Sequence, residues 1–217
     1  MSLLRVDASI QGDRSASSAL ADLVLAEVAA AAPGVPVVRR HLGQHPLPAD
    51  AWAAAVSAGF APEPERSAAQ RDGLALAQQV AGELQQASAA VLALPLYNFG
   101  VSQHTKTWMD LAIAGAPQGA RLLEGTPTVL LVTRGGSYAP GTPREGWDHS
   151  TDYLRRVLVD VWGAELTVVE REFTLVGVNP ALDGFAEVAA LMHRAAEQAA
   201  TEAGTALAGR LTERRAA

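Results

Sequence analysis

The sequence predicts an α/β fold: a five-stranded parallel sheet of order 2-1-3-4-5, doubly wound by helices on both faces. Two observations carry this. Short apolar runs alternate with stretches of helical periodicity along most of the chain, and the runs Ala89–Leu94 and Thr128–Thr133 show no charge and no alternation, as strands buried on both faces do. Length agrees, since 217 residues with 49% hydrophobic content can bury one sizeable core. Residues 1–205 are read as a single domain and 206–217 as a frayed C-terminal tail.

In chain order, the first strand is Leu3–Ala8, and the loop Ser9–Arg14 leads into a helix with Leu20, Leu23, Val24 and Val28 on one face. Pro33-Gly34 stops that helix. A second strand, Val35–Arg40, precedes an excursion from His41 to Arg66 that carries Pro46, Pro48, Pro62 and Pro64, with a short helix expected near Asp50–Ala58. Helix three, Ser67–Gln86, buries Leu74, Leu76, Val80 and Leu84 and delivers the chain to the third strand. A helix over Ser102–Ala114, the strand Thr128–Thr133, a helix over Ser150–Trp162 and the strand Glu165–Arg171 follow. Asn179-Pro180 pairs an N-cap residue with a first-turn proline, and the last helix is expected to reach about Ala203. This succession fits the flavodoxin-like member of the doubly wound class.

Composition removes several functions. With no cysteine, disulfides, thiolate catalysis and thiolate metal sites are out. A net charge of −6 with no basic cluster larger than Arg214-Arg215 speaks against nucleic acid. The amino terminus meets Arg5 too early for a signal peptide, and no apolar run is long enough to span a bilayer, so a cytoplasmic protein without a membrane partner is expected. His41 and His45 are four apart, but Gly43 and Pro46 break the helix that would align them, and no metal site is expected.

In such a sheet, ligands bind beyond the carboxyl ends of the strands, where strand order reverses. Three loops at that edge are unusual. The first holds Ser9, Ser15, Ser17 and Ser18 around Gly12 at a helix start, which suits either a phosphate site or an ordinary serine cap. The second, Pro95-Leu96-Tyr97-Asn98-Phe99-Gly100, places two aromatics and an amide where small polar residues would satisfy a connection; it is either a plug or the wall of a flat ligand. In the third, Thr133-Arg134-Gly135-Gly136-Ser137-Tyr138, the glycines permit a tight turn or close approach, and Arg134 either compensates a ligand's charge or pairs with a carboxylate. A phosphate cradle, an aromatic and amide wall and a glycine turn at one edge describe a phosphorylated, flat heterocycle. The dinucleotide pattern Gly-x-Gly-x-x-Gly and the Gly-Lys-Ser/Thr ending are both missing from the first loop, which favours a mononucleotide.

The order Ser9, Ser15-Ala16-Ser17, Pro95-Leu96-Tyr97-Asn98-Phe99, Lys106 with Asp110, then Thr133-Arg134-Gly135-Gly136-Ser137-Tyr138 resembles the FMN-dependent NADH-azoreductase and quinone reductase family over nearly the whole chain. The resemblance implies an enzyme that passes a hydride from NADH or NADPH to FMN and then two electrons to a quinone or azo compound, by a ping-pong cycle. It assigns Ser9, Ser15, Ala16 and Ser17 to the FMN phosphate, Pro95, Leu96, Tyr97, Asn98 and Phe99 to the ring, and Thr133, Arg134, Gly135 and Gly136 to its polar rim. No acid or base is demanded of the protein; Asn98 and Tyr138 are the candidates for a catalytic part. A homodimer with sites at the interface is also implied, with Trp52–Arg66 the expected partner contact. Two departures stand out: Thr133 replaces the family's serine, and Ala114-Gly115-Ala116-Pro117-Gln118-Gly119 is short and lacks the family's aromatic. The alternatives are a flavodoxin-like FMN protein that carries electrons or senses a ligand without turnover, and a homologue with an altered substrate pocket.

Overall fold

Five parallel strands form the sheet of this computed structural model, which describes residues 1–216: β1 (Leu3–Asp7), β2 (Val37–His41), β3 (Ala89–Ala93), β6 (Pro127–Thr133) and β7 (Glu165–Arg171). They are ordered β2-β1-β3-β6-β7, the expected 2-1-3-4-5 with a two-stranded hairpin, β4 (Leu96–Tyr97) and β5 (Gly100–Val101), inserted after β3. Every residue of β1, β3 and β6 is buried, because helices cover both faces.

The period of two along each strand divides the core into two layers. Leu4, Val6, Leu92 and Val132 face α3 (Ala68–Gln85), α4 (Gln103–Ala114) and α5 (Thr151–Arg155), where Leu84, Trp108, Met109 and Leu154 meet them. Leu3, Val91, Ala93 and Leu131 face α1 (Ala16–Ala31) and α6 (Ala186–Ala216), which supply Leu20, Val24, Ala200 and Leu207. A short helix, α2 (Ala51–Ala58), lies against α3 and α4 through Ala51 and Ala55.

Three elements differ from expectation. The final helix does not end near Ala203: α6 runs to Ala216, because Leu207, Ala208 and Leu211 continue its buried face against α1 and the sheet. The region 206–216 is therefore helix rather than frayed tail, and Ala217 lies outside the described residues. The helix after Ser150 is α-helical only over Thr151–Arg155 and π-wound over Arg156–Val161. That wider turn carries the Trp162 amide to the Val157 carbonyl at 2.8 Å while keeping Leu154, Leu158 and Trp162 buried. Asn179 does act as an N-cap, accepting from the Ala181 amide, but of a 3₁₀ turn over Pro180–Phe185 that precedes α6.

Charged residues inside β1 tie it to the helix that follows. Arg5 is buried and meets Asp7 at 2.7 Å and Asp22 at 2.5 Å, and it donates to the Ser18 carbonyl, so β1 and the start of α1 are tied together. Burial opposes its charge, yet the bonds to Asp7 and Asp22 prevail and hold it firmly protonated. Among the described residues, no helix is long and apolar enough to cross a membrane.

Candidate active site

The serine loop is built by the N-terminus of α1. Ser15 is the cap: its hydroxyl accepts from the Ser18 amide at 3.1 Å and lies 3.2 Å from the Ser17 hydroxyl. Both side chains are buried beneath the loop rather than turned into the cavity above it. Ser9 and Ala16 line that cavity, with Gln11 and Arg14 beside them. The amides of Ala16 and Ser17 belong to a first turn, whose N–H groups have no intrahelical acceptor, at the positive end of the helix dipole. Amides, the Ser9 hydroxyl and the Arg14 guanidinium form a donor set suited to a phosphate.

Pro95–Gly100 is neither plug nor simple loop. Leu96 pairs with Val101 and Tyr97 with Gly100, which leaves Asn98 and Phe99 as a two-residue turn with φ of 47° and 68°. Two positive φ values mark a type I′ hairpin turn. Asparagine tolerates that geometry; phenylalanine rarely takes it and must be held there. The following loop holds it: the His149 amide donates to the Phe99 carbonyl at 2.9 Å, and the rings of Trp147 and Tyr138 meet Phe99 edge-on at 5.4 and 6.4 Å. The Tyr97 hydroxyl reaches back to the serine loop, accepting from the Ile10 amide at 3.2 Å and lying 3.4 Å from the Ser9 hydroxyl.

After β6, Thr133 and Gly135 line the cavity, and Tyr138 lines it beside Phe99. A β-carbon at Gly135 would stand 2.6 Å from Leu175 Cδ1, so a larger residue there would push aside the Leu175 side chain, itself a lining residue. Gly136 does not line the cavity but lies against the Arg144 guanidinium. The cavity measures about 440 Å³, within the range of cofactor and small-molecule sites. Ser9 with Arg14, the Pro95–Phe99 stretch, and Thr133 with Gly135 thus share one space, whose donors and aromatic wall suit a phosphorylated planar ring.

A sequence profile of the flavodoxin-like fold matches residues 1–201. An FMN-dependent NADH:quinone oxidoreductase of Frankia alni is 36% identical over 202 residues, covering 91% of this chain and 95% of that one. The chain belongs to this flavodoxin-like family. An enzyme of the same name from Streptomyces coelicolor is 39% identical, with 82% of this chain and 80% of the relative covered. Among solved structures, the azoreductase AzrA superposes with a TM-score of 0.76 at 20% identity over 94% of this chain and 99% of its own, a likeness of fold.

Two of the four residues assigned to the rim of this flavodoxin-like site, Arg134 and Gly136, do not line the cavity. The Arg134 side chain turns away from the cavity and is buried among Asp148 at 2.6 Å, Glu170 at 3.0 Å and the Thr151 hydroxyl at 2.9 Å. The carboxylate reading of Arg134 is thus the right one for its side chain, because three acidic residues far away in sequence, Asp148, Glu170 and Glu172, converge on it. Its influence on the cavity is indirect: Glu172, 3.8 Å away, accepts from the Ser137 hydroxyl and from the Tyr138 amide and so holds Tyr138 at the cavity's wall.

Asp148 is the pH-sensitive member. Burial alone would raise its pKa, but the Thr151 amide and hydroxyl, the Ser150 amide and the Arg134 guanidinium together bring it below the ordinary carboxylate value. A depressed folded-state pKa adds stability that is present above the unfolded value and lost as pH falls through the folded one. The melting temperature should therefore drop below about pH 4, and Asp148→Asn should be less stable at pH 7 with a shallower acid slope. Parallel slopes for the two proteins in thermal melts across that range would remove Asp148 from the acid transition.

Gln11, Arg14, Arg144, Thr174, Leu175 and Val178 line the cavity without having been singled out in the sequence. Arg14 and Gln11 sit inside the serine loop and were open to that reading. Thr174, Leu175 and Val178 belong to a fourth loop, after β7, whose small and aliphatic residues carry no local mark of a site. The short segment Ala114–Gly119 contributes no lining residue, and Lys106 and Asp110 form a 2.6 Å ion pair one turn apart on α4.

Proposed function

We propose that this chain is an FMN-dependent NAD(P)H:quinone oxidoreductase with an azo-compound reductase activity. The observation that carries the reading is the convergence of the Ser9, Tyr97–Phe99 and Thr133–Gly135 loops on one cavity of about 440 Å³ in a chain 36% identical to an FMN-dependent NADH:quinone oxidoreductase. When bound, FMN would accept a hydride from a reduced nicotinamide and hand two electrons to the acceptor. Ser9, the amides of Ala16 and Ser17, and Arg14 would hold its phosphate, with Ser15 and Ser17 shaping the loop from below. Pro95, Leu96, Tyr97, Asn98 and Phe99 would support the ring, and Thr133 with the Gly135 backbone would meet its polar edge. Amide N–H groups aimed there, and the Asn98 side chain, would stabilise negative charge that develops during reduction. The cofactor would fill most of such a cavity, so donor and acceptor would use the same remaining face in turn, giving ping-pong kinetics.

Purified protein is expected to be yellow, to release FMN on denaturation and to oxidise NADH or NADPH with a quinone acceptor, with parallel lines in double-reciprocal plots. Colourless protein that cannot be reconstituted with FMN would sink the reading, and yellow protein that no reduced nicotinamide bleaches would favour a carrier. Asn98 can be tested within its turn. Asn98→Gly keeps the positive φ and removes only the side chain, so a roughly tenfold loss in flavin affinity or reduction rate is expected; Asn98→Ala adds about 1 kcal/mol of backbone strain. Equal and wild-type values for both variants would remove Asn98 from the site.

The proposed assembly is a homodimer, in the cytoplasm. Supporting it, α2 buries Ala51, Ala55 and Ala58 while Trp52 and Val56, one turn apart, and Phe60, 87% exposed, form an apolar stripe facing out. Light scattering should report twice the chain mass; Phe60→Asp with Trp52→Ala should yield a monomer, and an unchanged dimer would put the interface elsewhere.

A further inference from the structure

Two arginines and no carboxylate line the cavity, although the chain carries a net charge of −6. Arg14 stands at the phosphate-binding end and is accounted for. Arg144 lines the cavity beside Phe99 and Tyr138, and no cofactor group is assigned to it above. Its guanidinium carbon is 5.9 Å from the Phe99 ring centroid and 5.9 Å from that of Tyr138, so two aromatic faces hold it by cation–π attraction. It makes no salt bridge among the described residues, and its neighbour Glu145 is turned back to accept from the Gly141 amide at 2.8 Å. An arginine held by aromatic rings keeps N–H donors for a ligand, and its planar fork matches the oxygens of a carboxylate, sulfonate or phosphate.

We propose that Arg144 is a specificity-determining residue that binds an anionic group of the planar substrate entering beside the flavin. The proposal rests on the flavin reading above. Two sources of that group are open, a sulfonate or carboxylate on the electron acceptor and the diphosphate of the nicotinamide donor, and they differ in the kinetics they produce. Phe99 and Tyr138 serve the same end by fixing the guanidinium at the wall. The strained Phe99 turn thus gains a role beyond supporting a ring: it seats the cation that reads the substrate's charge.

The test compares wild type with Arg144→Gln and Arg144→Lys. Calorimetric titration with naphthalene-2-sulfonate and its neutral isostere naphthalene-2-sulfonamide needs no turnover. Wild type should prefer the sulfonate about tenfold, the lysine variant should keep part of that preference and the glutamine variant should lose it. In steady state, kcat/KM is measured for 1,4-naphthoquinone-2-sulfonate and for 1,4-naphthoquinone, whose intrinsic difference in reactivity cancels when their ratio is compared between proteins. A tenfold fall of that ratio in Arg144→Gln assigns the anion to the acceptor; an unchanged ratio with a tenfold rise in KM for NADH assigns it to the donor. Wild-type sulfonate preference together with an unchanged ratio and KM in Arg144→Gln would overturn the proposal. So would an FMN dissociation constant raised tenfold in that variant, since Arg144 would then serve the cofactor. Wild-type protein that binds no FMN would refute the parent reading by itself, and the sulfonate titration would still decide whether Arg144 binds an anion.

Discussion

A single methyl group added at Gly43 is expected to cost about 3 kcal/mol of stability and, with it, most of the flavin affinity. Gly43 follows β2, where the Leu42 amide donates to the Asp7 carbonyl at 2.7 Å and draws the chain across the end of β1. A β-carbon at Gly43 would overlap the Ser9 carbonyl oxygen and its carbon, which are backbone atoms and cannot rotate aside. Relief requires displacing the Ser9 loop, and Ser9 anchors the Gln11 amide at 3.2 Å and meets the Tyr97 hydroxyl. Gly43→Ala should therefore lower urea stability and FMN affinity together. Gly115→Ala is the control. There a β-carbon would overlap the Ala77 carbonyl, where the end of α4 crosses α3, and Gly115 does not line the cavity. It should cost comparable stability and leave FMN affinity near wild type at temperatures where the protein is folded. If Gly43→Ala bound FMN as wild type does, the Ser9 loop would lose its place in the cofactor site.

Arg134→Ala is expected to destabilise by roughly 3 kcal/mol, because truncating this buried partner leaves the half-buried Asp148 and Glu172 carboxylates without their counter-charge. Glu170, 42% exposed at its side chain, adds little to that cost. The double variant Arg134→Met with Asp148→Leu should recover part of the loss, since apolar side chains of similar size need no partners. The loss should also loosen Tyr138, whose amide donates to Glu172, and so the part of the cavity wall that Tyr138 forms. Chemical denaturation at pH 7 checks the first effect; a loss under about 1 kcal/mol would mean that water already solvates the cluster.

The strand order, the helices on both faces and the edge of the sheet that holds the site were all legible before any coordinates. Apolar runs and helical spacing are local patterns, and in a doubly wound sheet the ligand edge follows from topology. Tyr97, Asn98 and Phe99 were legible as unusual residues for a connection, but their hairpin was not, because nothing local announces a phenylalanine at positive φ. That turn persists through His149, Trp147 and Tyr138, roughly forty to fifty residues further along the chain. The helix past Ala203 was missed because an alanine-rich segment carries little amphipathic signal, and only its partners on α1 show that Leu207 and Leu211 are buried.

By itself, then, the sequence determined the architecture, the kind of ligand the cavity suits and the three loops that line it. Which side chains turn into that cavity was decided only by tertiary structure. Ser15 and Ser17 went beneath the loop, Arg134 went to Asp148 and away from the cavity, and Arg144 came to Phe99 and Tyr138. The reason is physical: a long cationic side chain is directed by the carboxylates and rings that surround it in space, and those come from segments whose proximity exists only in the folded chain.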